Sequence, residues 1–147
     1  MKSVLSLLLI AIFSIPASAQ QLAKNQAQND GISFFTGSFE EAKKAASAQN
    51  KIIFMDAFTV WCGPCKVLSN TTFKDKSVGE FFNKNFINIK VDMEKGEGPQ
   101  LAMKYGVRAY PTLLFIDKNG KQVHSVLGLI PAEVLLKEGR VALALNK

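Results

Sequence analysis

The chain has 147 residues, of which 48% are hydrophobic and eleven are phenylalanine; this suffices for one packed domain and excludes both a disordered chain and two full domains. Its formal charge is +6, but the lysines (Lys43, Lys44, Lys74, Lys76, Lys84, Lys118, Lys121) are scattered. No dense basic run is interleaved with aromatics, so a nucleic-acid partner is not expected, and the charge serves solubility.

The first nineteen residues do not belong to the globule. Met1-Lys2 gives a positive start, Val4 to Ile15 is an apolar run, and Pro16 breaks it. Ala17-Ser18-Ala19 then closes it in the small-x-small pattern that signal peptidase cleaves. The run is short for a membrane span, no second apolar segment follows, and no cysteine follows it to carry a lipid. We therefore expect residues 1–19 to be a cleaved signal peptide and the mature chain to begin at Gln20, exported to the bacterial periplasm with a charge of +5 once Lys2 is lost. Residues 20–31, polar and rich in Gln and Asn, are read as a flexible leader, and residues 32–147 as the folded domain.

Ile32 to Phe35 is a short first strand candidate. Ser38 and Glu41 form a capping box for a helix whose Phe39, Ala42 and Ala46 share one face. Lys51 to Phe58 is almost continuously apolar, the pattern of a strand buried on both faces of a parallel sheet. Asp56 interrupts it, on the strand face of Ile52, Phe54 and Phe58 by period two. Burial there raises its pKa and makes it a proton acceptor near neutrality; the plainer alternative is an aspartate meeting solvent at the strand end.

Both cysteines lie in Trp61-Cys62-Gly63-Pro64-Cys65-Lys66, directly after this strand. With Cys62 as helix cap, Gly63 and Pro64 fill the first turn, where the missing proline N–H costs little. Cys62 then sits at the positive end of the helix dipole, which favours thiolate, the species that attacks a disulfide. Cys65 lies in the first turn, close enough to close a disulfide. Three other uses of the pair are weaker. A structural bridge over so short a loop removes little unfolded-state entropy. A zinc site needs about four ligands, and the one other soft donor is His124. Haem attachment requires histidine where Lys66 stands. In an exported chain a lone C-x-x-C is a redox device.

The helix continues to about Asn70, and the next starts at Ser77, with Glu80 completing a capping box over Val78, Phe81 and Phe82. Phe86 to Asp92 is a strand, and Glu94 to Gly98 a polar loop. Pro99 opens a helix with Leu101, Ala102 and Tyr105 inward, ended by Gly106. Thr112 to Ile116 and Gln122 to Leu127 are strands joined by the hairpin turn Asp117-Lys118-Asn119-Gly120. Pro131 opens the last helix, which packs Val134, Leu135, Val141 and Leu145, and Gly139 predicts a bend or early end there. His124, on the second hairpin strand, is given no role. The whole predicts an α/β fold: a mixed central sheet of four to five strands with helices on both faces.

At this point the residues resemble a family. Met55 to Lys66, with Asp56 and Cys62-Gly63-Pro64-Cys65, is similar to the active-site segment of thioredoxins. Lys104 to Thr112, with Tyr110-Pro111, resembles that family's cis-proline landmark, and Lys118-Asn119-Gly120 followed by Gly128 its closing hairpin. The resemblance covers about residues 32–147. Asn70 stands where the family has a helix-kinking proline. Asn88 stands where a lysine often accompanies the buried aspartate, with Lys90 on the same strand face as the candidate substitute. The segment Thr72 to Phe86 looks more like exported thioredoxin-like domains, such as those of transmembrane thiol transporters.

The resemblance implies a thiol-disulfide oxidoreductase without a cofactor. Exposed Cys62 would attack, and more buried Cys65 would resolve, passing its proton toward Asp56 through water. Trp61, Gly63, Pro64, Tyr110, Pro111 and Gly128 would receive an extended substrate. It further implies a monomer that reduces protein disulfides, fed by a membrane thiol transporter; an oxidase, an isomerase and a non-catalytic peptide-binding module are the alternatives.

Overall fold

The computed structural model describes residues 30–146. The expected signal peptide, and the expected leader up to residue 29, lie outside the described residues. Helix α1 (Phe39–Gln49) leads into strand β1 (Ile52–Phe58), followed by α2 (Gly63–Asn70), a 3-10 turn (Thr72–Lys74) and α3 (Lys76–Asn85). Then come β2 (Phe86–Asp92), α4 (Gly98–Tyr105), β3 (Thr112–Ile116), β4 (Gln122–Leu127) and α5 (Ala132–Leu145). The strands form one mixed sheet in the order β2-β1-β3-β4, with β1 parallel to β2 and antiparallel to β3. The fold is the mixed α/β sheet that the strand and helix pattern predicts, in the thioredoxin-like arrangement that the resemblance implies.

Burial on both faces of β1 explains its apolar run, which Asp56 alone interrupts. On one face Ile53, Met55 and Ala57 pack with Phe39, Ala42 and Ala46 of α1 and Leu101 of α4. On the other, Ile52 and Phe54 meet Leu68 of α2, Val78 and Phe82 of α3, and Leu135 and Ala142 of α5. Phenylalanines fill this second layer: Phe54 and Phe82 have ring centroids 4.7 Å apart, and Phe82 stacks on Phe86 at 4.8 Å.

Four expectations are corrected here. Ile32 to Phe35 is not a strand of the sheet. It is an extended strap along the β2 edge, tied by Ile32 N to the Phe73 carbonyl at 2.8 Å and by Phe35 N to the Asn88 carbonyl at 2.7 Å. Asn88 is thus spent on the strap: its Nδ2 donates to the Ser33 carbonyl and to Asn83 Oδ1. Helix α3 is capped by Asp75, whose Oδ1 accepts from Val78 N at 3.0 Å, and not by Ser77. Both residue types are good caps; with Asp75 as the cap the helix begins at Lys76 and buries Val78 and Phe82, as a start at Ser77 also would.

The last two corrections concern α5. Its buried stripe is Leu135, Gly139 and Ala142; Val134 and Val141 are half-buried and Leu145 is exposed. The helix also runs through Gly139 without ending. A Cβ there would lie 2.9 Å from Phe81 Cε1 and 3.1 Å from Phe82 Cζ, so the glycine marks the close crossing of α5 over α3.

A second close approach fixes the strap. Gly31, expected in the leader, is buried, and a Cβ on Gly79 of α3 would come within 2.4 Å of its backbone. Ala normally stabilises a helix by about 1 kcal/mol over Gly. Here the atoms in the way are main chain, and overpacking of that kind costs about 1–3 kcal/mol. Gly79→Ala is expected to lower unfolding free energy, read from a urea midpoint shifted down with an unchanged slope; a midpoint shifted up would mean that the strap is not held there.

Candidate active site

Cys62 occupies the N-cap of α2 and Pro64 its first turn, as the spacing requires. The two cysteines are disulfide-bonded with Cα atoms 5.3 Å apart, and Cys65 N donates to Cys62 Sγ at 3.1 Å. An amide aimed at this sulfur and the helix N-terminus behind it both favour negative charge there. The expectation of an exposed Cys62 and a more buried Cys65 is corrected: each is 3% exposed. In the closed bond each sulfur occupies part of the other's surface, so the difference in access that distinguishes attacking from resolving sulfur is absent in this oxidised form.

Trp61, by contrast, is 64% exposed. Its ring packs edge-to-face on Tyr110 at 5.9 Å, and its Nε1 donates to both carboxylate oxygens of Glu94 at 3.0 Å. That contact brings the loop of Pro111 against the dithiol turn. The Tyr110–Pro111 peptide bond is cis, and Gly128 N donates to the buried Pro111 carbonyl at 2.8 Å. Gly128 has φ +94° and open space where a Cβ would stand. Gly63 and Pro64 are exposed beside it, and the exposed Val60 and Leu129 widen this apolar rim.

Asp56 lies fully buried beneath the site, so the alternative of a solvent-facing strand end does not hold. Its Cα partner across the parallel ladder is Lys90, whose Nζ donates to Asp56 Oδ2 at 2.6 Å and to Ser69 Oγ of α2 at 2.7 Å. Lys90 therefore takes the place left by Asn88. Loss of hydration pushes the Asp56 carboxyl above the usual carboxylate range, and the Lys90 ammonium offsets part of that rise.

Lys90 is itself reachable. Its side chain is 27% exposed, and clefts of about 330 Å³ and about 310 Å³ lie on either side of it, sharing Ser69, Asn70 and Lys90 in their walls. The first also reaches Thr59 and Cys65. Ser69 and Glu94 escaped the sequence reading. Ser69 follows Leu68 on a helix known to pack on β1, which is a usable signal; Glu94 lay in a polar loop with none. His124, given no role, stacks on Phe115 and bonds Glu138 Oε2 at 2.6 Å, joining β4 to α5. Among the described residues no three metal-type ligands cluster.

A mixed α/β domain with a C-x-x-C disulfide at a helix N-terminus, facing a cis-proline loop, defines a class of thiol-disulfide exchange proteins. A family model described as a thioredoxin-like domain matches residues 39–142, and the chain belongs to that family of thiol-disulfide oxidoreductases. Thioredoxin-1 of Saccharomyces cerevisiae is 38% identical over 90 residues, covering 61% of this chain and 81% of that protein. The thiol:disulfide interchange protein DsbD of Campylobacter jejuni is 31% identical over 150 residues, covering 93% of this chain but 26% of that protein. A solved structure from Bacteroides thetaiotaomicron, provisionally described as a disulphide-isomerase, has 52% identity and a TM-score of 0.70, over 80% of this chain and 97% of that one.

The buried carboxyl has a pH signature. Unfolded, Asp56 titrates near its ordinary value of 3.8; folded, it titrates above it. Below the ordinary value both states are protonated and the fold keeps the full benefit of the neutral group. As pH rises through the folded pKa, ionising Asp56 removes that stability. Asp56→Asn, which can still accept from Lys90, is expected to be more stable than the parent at neutral pH, with the difference vanishing below 3.8. Thermal midpoints across pH check this, and a gap that widens toward acid would contradict it.

Proposed function

We propose that the mature chain is an exported reductase of protein disulfides, with Cys62 as the attacking and Cys65 as the resolving sulfur. The observation that carries the reading is the Cys65 amide directed at Cys62 Sγ at a helix N-terminus, with the Asp56–Lys90 pair behind it. A Cys62 thiolate attacks one sulfur of a client disulfide, the other leaves as a thiolate that takes a proton, and a mixed disulfide forms. Cys65 then gives up its proton toward Asp56, attacks Cys62 Sγ and releases the client thiol. Two electrons pass from the cysteine pair to the client, and no cofactor takes part.

The client chain is taken as an extended segment pairing with the backbone at Tyr110–Pro111, while Trp61, Gly63, Pro64 and Gly128 form the rim. Such main-chain pairing suits many sequences. In the periplasm the oxidised pair would be reduced again by a membrane thiol transporter, and the similarity to DsbD over 93% of the chain supports a partner of that kind. The chain acts as a monomer. The direction follows from Gly63-Pro64 between the cysteines and from Asp56, which resemble the reducing end of the family. Isomerase activity is the second reading, favoured by the description of the 52% identical structure.

Cys62→Ser is expected to fold normally and lose insulin disulfide reduction entirely, and Cys65→Ser to accumulate a mixed disulfide at Cys62; turnover retained in Cys62→Ser removes the nucleophile assignment. Equilibration with glutathione should place the potential nearer the thioredoxin value of about −270 mV than the strong-oxidant value of about −120 mV. A value at the oxidising end, with recovery of scrambled substrates, selects the second reading. Export predicts that N-terminal sequencing of the chain recovered from the periplasm starts at Gln20, whereas an intact Met1 there rejects cleavage.

A further inference from the structure

Two buried polar atoms below the dithiol have no hydrogen-bond partner among the described residues: Asp56 Oδ1 and Thr59 Oγ1. Asp56 is 0% and Thr59 1% exposed. A buried donor or acceptor left unpaired is costly, and pairs of them near a cleft are where proteins hold water. The two residues lie three positions apart, where β1 ends and the loop to Cys62 begins, and the Thr59 carbonyl accepts from Cys62 N at 3.2 Å. Thr59 and Cys65 stand in the wall of the same cleft of about 330 Å³, and so does Lys90. Lys90 engages Asp56 Oδ2, which leaves Oδ1 as the oxygen free to receive a proton.

We propose that Thr59 is a positioning residue for the resolving step: its hydroxyl and Asp56 Oδ1 hold between them the water that takes the Cys65 proton. The inference rests on the assignment of Cys62 and Cys65 made above. Starting from the mixed disulfide, the Cys65 thiol passes its proton to the water, which passes one of its own to Asp56 Oδ1. The Cys65 thiolate attacks Cys62 Sγ, the bond between Cys62 and the client sulfur breaks, and the client leaves as a thiolate that the Asp56 proton neutralises through the same water. The cysteine pair is oxidised by two electrons and the client is reduced by two. Around Asp56, β2 supplies Lys90, β3 supplies the apolar Leu113 opposite it, and α2 supplies Ser69, bonded to Lys90.

A threonine kept only to fill space would be matched by valine, which has the same shape without the hydroxyl. The test therefore compares Thr59→Val, Thr59→Ser and, as a smaller replacement should valine disturb the loop, Thr59→Ala. Each reduced full chain is mixed with a chromogenic aryl disulfide, which releases one coloured thiol on Cys62 attack and a second on Cys65 resolution. Loss of one group that orients a proton carrier is expected to slow the second phase relative to the first by roughly tenfold in the valine and alanine variants. Serine should restore the parent ratio. The parent's second phase should rise with pH as Asp56 ionises, and this inflection should flatten in Thr59→Val. A valine variant with the parent's ratio and pH profile, or a serine variant as slow as valine, overturns the role of Thr59. Absence of any mixed disulfide at Cys62 in Cys65→Ser would show instead that the nucleophile assignment fails, and both readings fall with it.

Discussion

Among the described residues Asp56 is the only charged side chain that is fully buried, and it sits in β1, one of the two inner strands of the sheet. An isolated carboxylate in that position would simply stay protonated. Lys90 changes the balance: it faces Asp56 across the parallel ladder, bonds one of its oxygens, and keeps contact with solvent through a side chain that is partly exposed. Burial still holds the carboxyl above the usual carboxylate range, and Lys90 offsets part of that rise. The aromatic surroundings contribute, since the rings of Phe34, Phe58 and Phe73 lie 5.0–5.2 Å from the Lys90 ammonium.

Several features that look incidental serve this pair. Ser69 accepts a second bond from Lys90 and so couples α2, the helix that carries the cysteines, to the buried Asp56–Lys90 pair. The strap delivers Phe34 against Phe73 and over Lys90. Asn83 and Asn88 hold the strap in register, donating to the Gly31 and Ser33 carbonyls. The departure from the family's usual pattern is therefore an exchange of roles on one strand face, in which Asn88 anchors main chain and Lys90 meets the aspartate.

The surface side of the site is arranged differently. There the fixed points are main-chain conformations: a helix N-terminus that receives Cys62, a cis bond before Pro111, and Gly128 tied to the Pro111 carbonyl. Only Trp61 is held through its side chain, by Tyr110 on one side and Glu94 on the other. A surface shaped mainly by main chain thus lies above a buried carboxyl that is bonded to lysine.

Much of this was legible from residue order. The nearly continuous apolar run of β1, the capping box at Ser38 and Glu41, the hairpin turn after Ile116, and the cysteines at the start of a helix are local signals, set by periodicity, capping and turn chemistry within a few residues. They set the fold class and the place of the dithiol, while the burial of Asp56 was one of two readings until the layers packed over it. Contacts between segments distant in sequence decided the rest. The chain enters α3 at Lys76, so Asp75 rather than Ser77 meets the free Val78 amide. Gly139 continues a helix because two phenylalanines of α3 lie against it, and Ile32 to Phe35 remains a strap because its partners are an asparagine network at a sheet edge. Nor could the sequence show both cysteines to be buried to the same degree, or Glu94 to hold Trp61. Cap choice, close approach and burial are settled by which surfaces meet, and that information exists only once the layers have packed.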